Sequence, residues 1–351
     1  MTQPHEASPG RALADVAVGD PIGPVVHGPL TVMHLVRWCA AMENWHRIHY
    51  DERFCQEHEG LPGPLVNGSW KQQVLAQLLK EWAGPTGWLL ALEYQFRGMD
   101  TVGATLTARG SVTAVDDHGD HGDVHARVEL VNAEGEATTV GEAVVRLPTR
   151  GAPSLRVPVD PADGRGFSAT SRVPGASCPP QFREYLGLQS ENLVSTDVVE
   201  ASSLRRFMQS IMASDPDYYD ESAAASGRFG RVVAPPLYPL YALRVPAGRP
   251  DPLAGASRDP DFDGATQTPW SSFGLPGLDG APQRLLNAGN GIDLFSYAPI
   301  GTRIAVQSTY QDIEEKQGKR GPLLFVSVLS RFTVHETGDL LLLSRQTTIL
   351  R

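Results

Sequence analysis

The chain of 351 residues contains two copies of one sequence pattern. Leu35-Val36-Arg37-Trp38 recurs as Leu204-Arg205-Arg206-Phe207, and Tyr50-Asp51 recurs as Tyr219-Asp220. The offset between the copies is 169 positions throughout this stretch. Such a repeat predicts two related structural units, which agrees with the usual domain size of about 100–200 residues.

Each copy ends in a pair of strand-like runs joined by a turn sequence that contains Gly. The runs are residues 124–131 and 138–147 in the first copy, and residues 323–334 and 340–350 in the second. Short turns with Gly between such runs are typical of β-hairpins. Both copies are therefore expected to end in antiparallel strands.

A long helix is predicted upstream of the first hairpin, over residues 67–82. Gly84-Pro85 ends the helical pattern, in which five apolar residues recur at helical spacing: Trp70, Val74, Leu75, Leu78 and Leu79. A long helix wrapped by a curved antiparallel sheet is the hotdog, an α+β fold. We predict a double hotdog, with two long helices, each wrapped by its own sheet, packed as a pseudo-dimer whose sheets are continuous.

Composition indicates where these units begin and end. Residues 1–16 are expected to be a flexible N-terminus, residues 17–147 the first hotdog and residues 171–351 the second. The proline-rich, aperiodic residues 148–170 are predicted to be a linker. Residues 247–285 are richer still in Pro, Gly and Asp, and a loop of this length is unusual in a compact domain. We expect it to form a mobile rim over a cleft between the copies.

Charge and cysteine content exclude several classes of protein. The net charge of −10 argues against a nucleic-acid partner, because binding a phosphate backbone needs a basic face. No segment approaches the ~20 apolar residues of a membrane span, and the N-terminus lacks the basic start and apolar run of a signal peptide. The three cysteines are widely spaced, which predicts free thiols and a cytoplasmic protein.

A polar segment between two helical patterns is the candidate site. It reads Asn44-Trp45-His46-Arg47-Ile48-His49-Tyr50-Asp51 and holds two of the ten histidines. Histidine titrates near neutral pH and is the most frequent general acid or base. A single histidine is more often structural, so the prediction depends on the whole string.

The string resembles the active-site segment of MaoC-like dehydratases and R-specific enoyl-CoA hydratases, which have the hotdog fold. Their pattern is Asp-x-Asn-Pro-ϕ-His, with ϕ apolar, and its histidine falls on His49. Asn44 stands at the family's Asp, and His46 and Arg47 stand at its Asn and Pro. This version is most similar to the mesaconyl-CoA hydratase and mitochondrial hydroxyacyl-thioester dehydratase branch. The resemblance covers residues 17–147.

The second half resembles the fatty-acid-synthase-type dehydratase domain, which is the non-catalytic partner in fusions with MaoC domains. Three matching strings are Ser214-Asp-Pro-Asp-Tyr-Tyr-Asp220, Val233-Ala-Pro-Pro236 and Lys319-Arg320-Gly-Pro-Leu-Leu-Phe325. The offset of 169 places Tyr218 opposite His49 and Ala213 opposite Asn44. We therefore predict one working site, in the first copy.

The resemblance implies addition of water to an enoyl thioester, or the reverse, and this chemistry assigns the residues. We predict His49 as the principal acid–base group. Asn44 cannot titrate, but as the second catalytic residue it can orient water by accepting or donating a hydrogen bond. Asp51 recurs in the second copy, which favours a structural role over a supporting one. For His46 we expect a hydrogen bond that fixes the loop.

The start of the predicted long helix is the expected oxyanion site. Backbone N–H groups at a helix start are free and carry positive potential. Asn67 is predicted to cap this helix, and Gly68 to let a thioester carbonyl approach the backbone. The family usually has His-Gly here, and Asn67 departs from it. The Asp- and His-rich residues 116–125 are predicted to be a solvated loop, with no metal site.

These observations predict a hydro-lyase acting on an acyl thioester of coenzyme A or a carrier protein, without a further cofactor. The expected partners are the thioester and an acyl carrier protein, and the protein is either a monomeric double hotdog or a homodimer. One alternative is a non-catalytic acyl-thioester-binding protein, because Asn44 weakens the pair with His49. Another is a biosynthetic enzyme that uses the same enolate chemistry for cyclisation. A thioesterase is less favoured by the spacing of the motif.

Overall fold

The computed structural model describes residues 10–152, 155–170, 173–246, 248–256, 258–266, 270–318 and 321–351. Residues 1–9 of the predicted flexible N-terminus lie outside the described residues, as do Lys319 and Arg320 of the matching string in the second half.

One antiparallel sheet of ten strands forms the frame of the protein. The first copy contributes β1 (Pro21–His27), β2 (Trp88–Phe96), β3 (Leu106–Asp117), β4 (His121–Val131) and β5 (Ala137–Pro148). The second contributes β6 (Leu193–Val194), β7 (Leu285–Leu294), β8 (Ile304–Gly318), β9 (Gly321–Val334) and β10 (Leu340–Leu350). The strand order is β1-β3-β4-β5-β2-β7-β10-β9-β8-β6. Counted inward from each edge, the strands of the second copy follow the same order as their counterparts in the first.

The two half-sheets join between β2 and β7, where Ala91 pairs with Asp293 and Tyr94 with Asn290. The predicted continuous sheet of a pseudo-dimer is therefore confirmed. From Val306 to Tyr310 of β8, buried side chains alternate with less buried ones, which directs one face of this half-sheet to the core.

Two helices of the first copy, Val32–Met42 and Glu52–Glu57, recur in the second copy at the predicted offset of 169 residues. The chain contains α1 (Val32–Met42), α2 (Glu52–Glu57), α3 (Gly68–Ala83), α4 (Ala201–Ser210) and α5 (Glu221–Ser226). α4 and α5 are the counterparts of α1 and α2. The turns after α1 and α4 also match, because Glu43 and Met212 both adopt a left-handed backbone, with φ of 52° and 56°.

The predicted long helix of the first copy is confirmed as α3, within one residue at each end. Its apolar residues Trp70, Val74, Leu75 and Leu79 are at most 4% exposed. The helix contacts β1, β2, β3, β4 and β5, and it is therefore the wrapped helix of a hotdog. It ends at Gly84, whose φ of 70° is readily adopted only by glycine.

The second long helix was predicted wrongly. The described part of the second copy holds only a short 3-10 helix, Tyr238–Tyr241, where α3 would recur. Pro246 would lie in the interior of a helix over residues 237–252, and proline lacks the N–H that a helix interior needs and clashes with the preceding turn. The double-hotdog fold is kept, with one long helix in place of two.

The long loop is also not a mobile rim along its whole length. Trp270, Leu275 and Leu278 of the loop pack with Phe182 and with Tyr310 of β8 in a second apolar cluster. They pack against buried side chains of β8 and β9, so this part of the loop belongs to the core.

The structure bears on the predictions about the cysteines and about membrane-spanning segments. Cys39, Cys55 and Cys178 are free thiols, as predicted. Among the described residues, no helix has the length and apolar character needed to cross a bilayer.

Candidate active site

His49 lies at the end of the short 3-10 helix Arg47–His49, between α1 and α2. Its Nδ1 is 2.9 Å from the carbonyl oxygen of Leu65. A carbonyl only accepts, so Nδ1 carries the proton and Nε2 keeps its lone pair. Burial, with a smaller contribution from His46, lowers the pKa of His49 to about 4. The imidazole is therefore neutral at pH 7 and offers a base at Nε2.

The same segment that holds His49 leads into α3. Leu65 lies two residues before Asn67, the residue that precedes the helix, and two residues span at most about 7 Å. No side chain caps the first turn of α3, and the first N–H groups of a helix have no partner within it. These groups carry a partial positive charge, and the carbonyl that binds His49 is two residues along the chain from the N-cap of this helix.

Asn67 occupies the N-cap position, but the predicted side-chain cap is wrong. Its Oδ1 accepts instead from the thiol of Cys39, at 3.7 Å. Burial raises the pKa of Cys39 to about 11, so this thiol keeps its proton. The Nδ2 of Asn67 is buried and has no partner among the described residues. A buried donor without a partner is costly, and a substrate oxygen would satisfy it.

Gly68 has a packing reason to be glycine. An added Cβ would lie 2.7 Å from the ring of Phe96, closer than side-chain carbons can approach. The predicted approach of a thioester carbonyl to Gly68 stays a prediction, and it is not needed to explain the residue.

Asn44 is fixed by a local hydrogen bond. Its Oδ1 accepts from the backbone N–H of His46 at 3.2 Å, as asparagine side chains commonly do in turns. The amide oxygen can still accept a second hydrogen bond and Nδ2 can donate one, so both roles left open by the sequence remain.

Asp51 has a structural role, as its recurrence favours. It caps α2 by accepting from the N–H of Phe54 at 3.0 Å, and it pairs with Arg47 at 2.8 Å. Asp220 caps α5 in the same way. A supporting catalytic role for Asp51 is therefore not needed to explain it.

The backbone N–H of His46, and not its ring, makes the bond that fixes the loop. Its ring packs edge-on against that of His49, with 5.9 Å between the ring centroids. Burial lowers the pKa of His46 as well. Two neutral imidazoles thus lie in contact.

The second copy contributes a wall to this site. Arg244 donates to the carbonyl oxygens of Ala41 and Met42, both at 3.0 Å, at the end of α1. The N–H of Arg47 donates to the carbonyl oxygen of Asp263, at 2.8 Å, in the long loop. This part of the loop lies where the rim was predicted. Sequence reasoning missed Arg244, because it follows an aperiodic run that gives no signal.

The equivalent loop of the second copy keeps the backbone hydrogen bond of the His49 loop but has tyrosine in place of the histidine. The N–H of Val233 donates to Asp217 O, as that of Leu65 donates to Ile48 O. Tyr218, at the position of His49, is only 3% exposed, and burial raises its pKa well above the usual value. This loop has no acid–base group equivalent to His49, and its inactivity stays a prediction.

The Asp- and His-rich residues 116–125 span the end of β3, a turn and the start of β4. Only residues 118–120 between these strands form the predicted loop. His118, His121 and Asp123 converge there and could in principle share a metal ion. Asp123 is already bound by Arg146 at 2.8 Å and by Arg165 at 3.0 Å. Two guanidinium groups on one carboxylate disfavour a cation, so this cluster is better explained by ion pairing.

Comparisons with known proteins agree with this arrangement. Residues 30–104 match the family model of hydroxyacyl-thioester dehydratase type 2, and residues 186–338 match that of the FAS1-like dehydratase domain region. Both halves of the chain are dehydratase-like. The dehydratase resemblance predicted for both halves is thus confirmed, whereas the nearer resemblance to mesaconyl-CoA hydratase stays a prediction. The activity common to these families is that of a hydro-lyase on hydroxyacyl thioesters.

Solved structures support the fold. A MaoC domain protein dehydratase from Chloroflexus aurantiacus J-10-fl is 14% identical, with a TM-score of 0.66 and coverage of 99% of each chain. A Mycobacterium tuberculosis protein described as having a double hotdog fold is 16% identical, with a TM-score of 0.58 and coverage of 97% of this chain and 98% of that one. At this identity the likeness establishes the fold alone. A search of curated proteins found no match.

Proposed function

We propose that the protein hydrates an enoyl thioester, or dehydrates the corresponding 3-hydroxyacyl thioester, at His49 of the first copy. The observation that carries this proposal is a neutral imidazole bound through Nδ1 to Leu65, two residues along the chain from the N-cap of the uncapped helix α3. This supports a base close to donors that can stabilise an enolate oxygen.

In the hydration direction, Nε2 of His49 takes a proton from water while the water oxygen attacks C3 of the enoyl thioester. Electrons move from the double bond to the thioester oxygen, which accepts hydrogen bonds from the N–H groups at the start of α3. The protonated imidazole then gives its proton to C2, so the base is restored. Asn44 holds the water oxygen by donating to it from Nδ2, while its Oδ1 accepts from the N–H of His46.

The substrate is proposed to be an acyl thioester of coenzyme A or of an acyl carrier protein, and no other cofactor is needed. The unpartnered Nδ2 of Asn67 supports a substrate oxygen near the helix start. The part of the long loop that contacts Arg47 and Trp45 is proposed to border the acyl chain.

The proposal predicts loss of the enoyl-thioester absorbance when the protein is mixed with a matching enoyl-CoA and water. A panel of enoyl-CoAs of increasing chain length tests this, with the corresponding 3-hydroxyacyl-CoAs for the reverse direction. Binding of these thioesters without turnover, for every chain length, would instead support a non-catalytic binding protein.

Replacing Asn44 by Ala is expected to lower kcat by up to about tenfold, because one neutral hydrogen bond contributes roughly 0.5–1.5 kcal/mol. Asn44→Asp is the matched variant, since its carboxylate can still accept from the N–H of His46. The added negative charge should raise the pKa of His49 from about 4. The acid limb of the kcat/KM profile should therefore move to higher pH in Asn44→Asp. An unmoved limb would place Asn44 away from the imidazole.

A further inference from the structure

A buried ion pair joins the start of α3 to a neighbouring turn. Lys71 Nζ lies 2.5 Å from Asp100 Oδ2, and the two side chains are 3% and 2% exposed. Thr138 donates to the same carboxylate oxygen at 2.7 Å, and Lys71 also donates to the carbonyl oxygen of Gly98 at 3.2 Å. All of these partners belong to the protein, so the pair is satisfied without a ligand.

The turn that contains Asp100 holds the segment to which His49 is bound. The N–H of Val66 donates to the carbonyl oxygen of Asp100 at 2.8 Å. The carbonyl oxygen of the preceding residue, Leu65, accepts from Nδ1 of His49. Lys71 lies in the first turn of α3, the helix that supplies the oxyanion N–H groups. The ion pair therefore connects the helix start with the support of the base.

The second copy shows that the backbone of this turn forms without such a pair. The N–H of Ala234 donates to the carbonyl oxygen of Ala298 at 2.8 Å, so Ala298 stands where Asp100 does. Val233 pairs with Pro299 as Leu65 pairs with Thr101. Only the copy that keeps His49 and the long helix has the ion pair. A buried pair is weak evidence for stability, and its place here indicates a role in geometry.

We propose that Lys71 and Asp100 are positioning residues that fix the separation between the imidazole of His49 and the N–H groups at the start of α3. This inference rests on the proposed function for its kinetic consequence. The polar partners of both side chains all lie within the protein, so the two side chains act through the segment that ends at Leu65 and through the first turn of the helix. Loss of the pair should lower kcat more than it changes KM.

The test is the double variant Lys71→Met/Asp100→Asn, which removes both charges together and keeps an acceptor for Thr138. Its control is Lys80→Met/Asp215→Asn, which removes an ion pair from the other end of the same helix. A misplacement of about 1 Å can cost on the order of 100-fold in rate, so we expect kcat to fall by about 10–100-fold in the first variant. KM should stay nearly constant, and the control should keep its kcat.

A readout besides turnover is the ¹⁵N spectrum of the His49 ring. In the first double variant the Nδ1-protonated tautomer should no longer dominate and the titration should move toward that of a free histidine, whereas the control should match the wild type. An unchanged kcat together with an unchanged spectrum would overturn the inference. If the wild type hydrates no thioester, the proposed function fails, and the spectrum alone still decides whether the pair positions His49.

Thr138→Val provides a milder test should the double variant not fold. It removes one hydrogen bond to Asp100 and leaves both charges paired. We expect a change in kcat and in the His49 spectrum of the same direction and smaller size. A folded Thr138→Val protein with wild-type kcat and spectrum would count against positioning through this carboxylate.

Discussion

Replacing His49 by Ala is expected to lower kcat on the order of 10³-fold, within the range of about 10²–10⁴-fold that general acid–base groups supply. The imidazole is the base that takes the proton of water and the acid that returns it to carbon, and the neighbouring imidazole of His46, which contacts it edge-on, has no proposed part in proton transfer. Asp51 is occupied by α2 and Arg47, and Asn44 does not titrate. KM should change little, because the oxyanion donors remain. Steady-state kinetics on the thioester that gives the highest turnover measures both.

The matched control for His49→Ala is Tyr218→Phe, at the equivalent position of the second copy. Tyr218 is buried, so its hydroxyl should not exchange protons with a substrate, and turnover should be largely retained. Loss of turnover in a folded Tyr218→Phe protein would mean that the second copy is not inactive. Equal activity of wild type and His49→Ala would remove the hydro-lyase proposal and leave the binding protein.

The acid limb of the wild-type pH profile follows from the same imidazole. Burial lowers the pKa of His49 to about 4, and hydration needs the neutral ring. Activity should therefore be full near neutral pH and be lost as the pH falls through about 4. Because the folded-state pKa is below the unfolded value, protonation also favours unfolding. The contribution of His49 to stability is complete above the unfolded pKa and decreases as the pH falls toward the folded value.

The sequence predicted the parts of the fold that depend on local pattern. The offset of 169 aligns Leu35 with Leu204 and Asp51 with Asp220, and the structure repeats the helices, the left-handed turn and the cap at these positions. The periodicity over residues 67–82 predicted α3, because a helix buried on most sides needs apolar residues at nearly every turn.

The errors arose where tertiary contacts decide the structure. Copy symmetry implied a second long helix, although Pro246 already disfavours one. Asn67 has the residue type of a cap, yet Cys39 binds its oxygen from α1, which no local pattern indicates. Lys71 was overlooked although it lies four residues before Leu75 on a buried helix face. A lone charge on such a face predicts a buried partner, but its identity as Asp100 depends on the folded turn.

Lys71→Met, made without a change at Asp100, is expected to give the largest loss of stability among these variants. It leaves the carboxylate of Asp100 buried without its counter-charge, and breaking a buried pair in this way typically costs about 3–5 kcal/mol. Urea denaturation followed by tryptophan fluorescence measures the loss. The double variant Lys71→Met/Asp100→Asn should lose less, because no unpaired charge remains.

The loss in the single variant is compared with the loss at a partly exposed pair of the same helix. At neutral pH the penalty should be present in full, because the carboxylate of Asp100 has lost its only counter-charge in the ion pair. Lys80→Met is the control on the same helix, since Lys80 is 19% exposed and its partner Asp215 is 28% exposed. Partly exposed pairs typically contribute about 0–1 kcal/mol. If Lys71→Met lost no more stability than Lys80→Met at neutral pH, the buried pair would not hold the charge of Asp100, and its link between α3 and His49 would lose its physical basis.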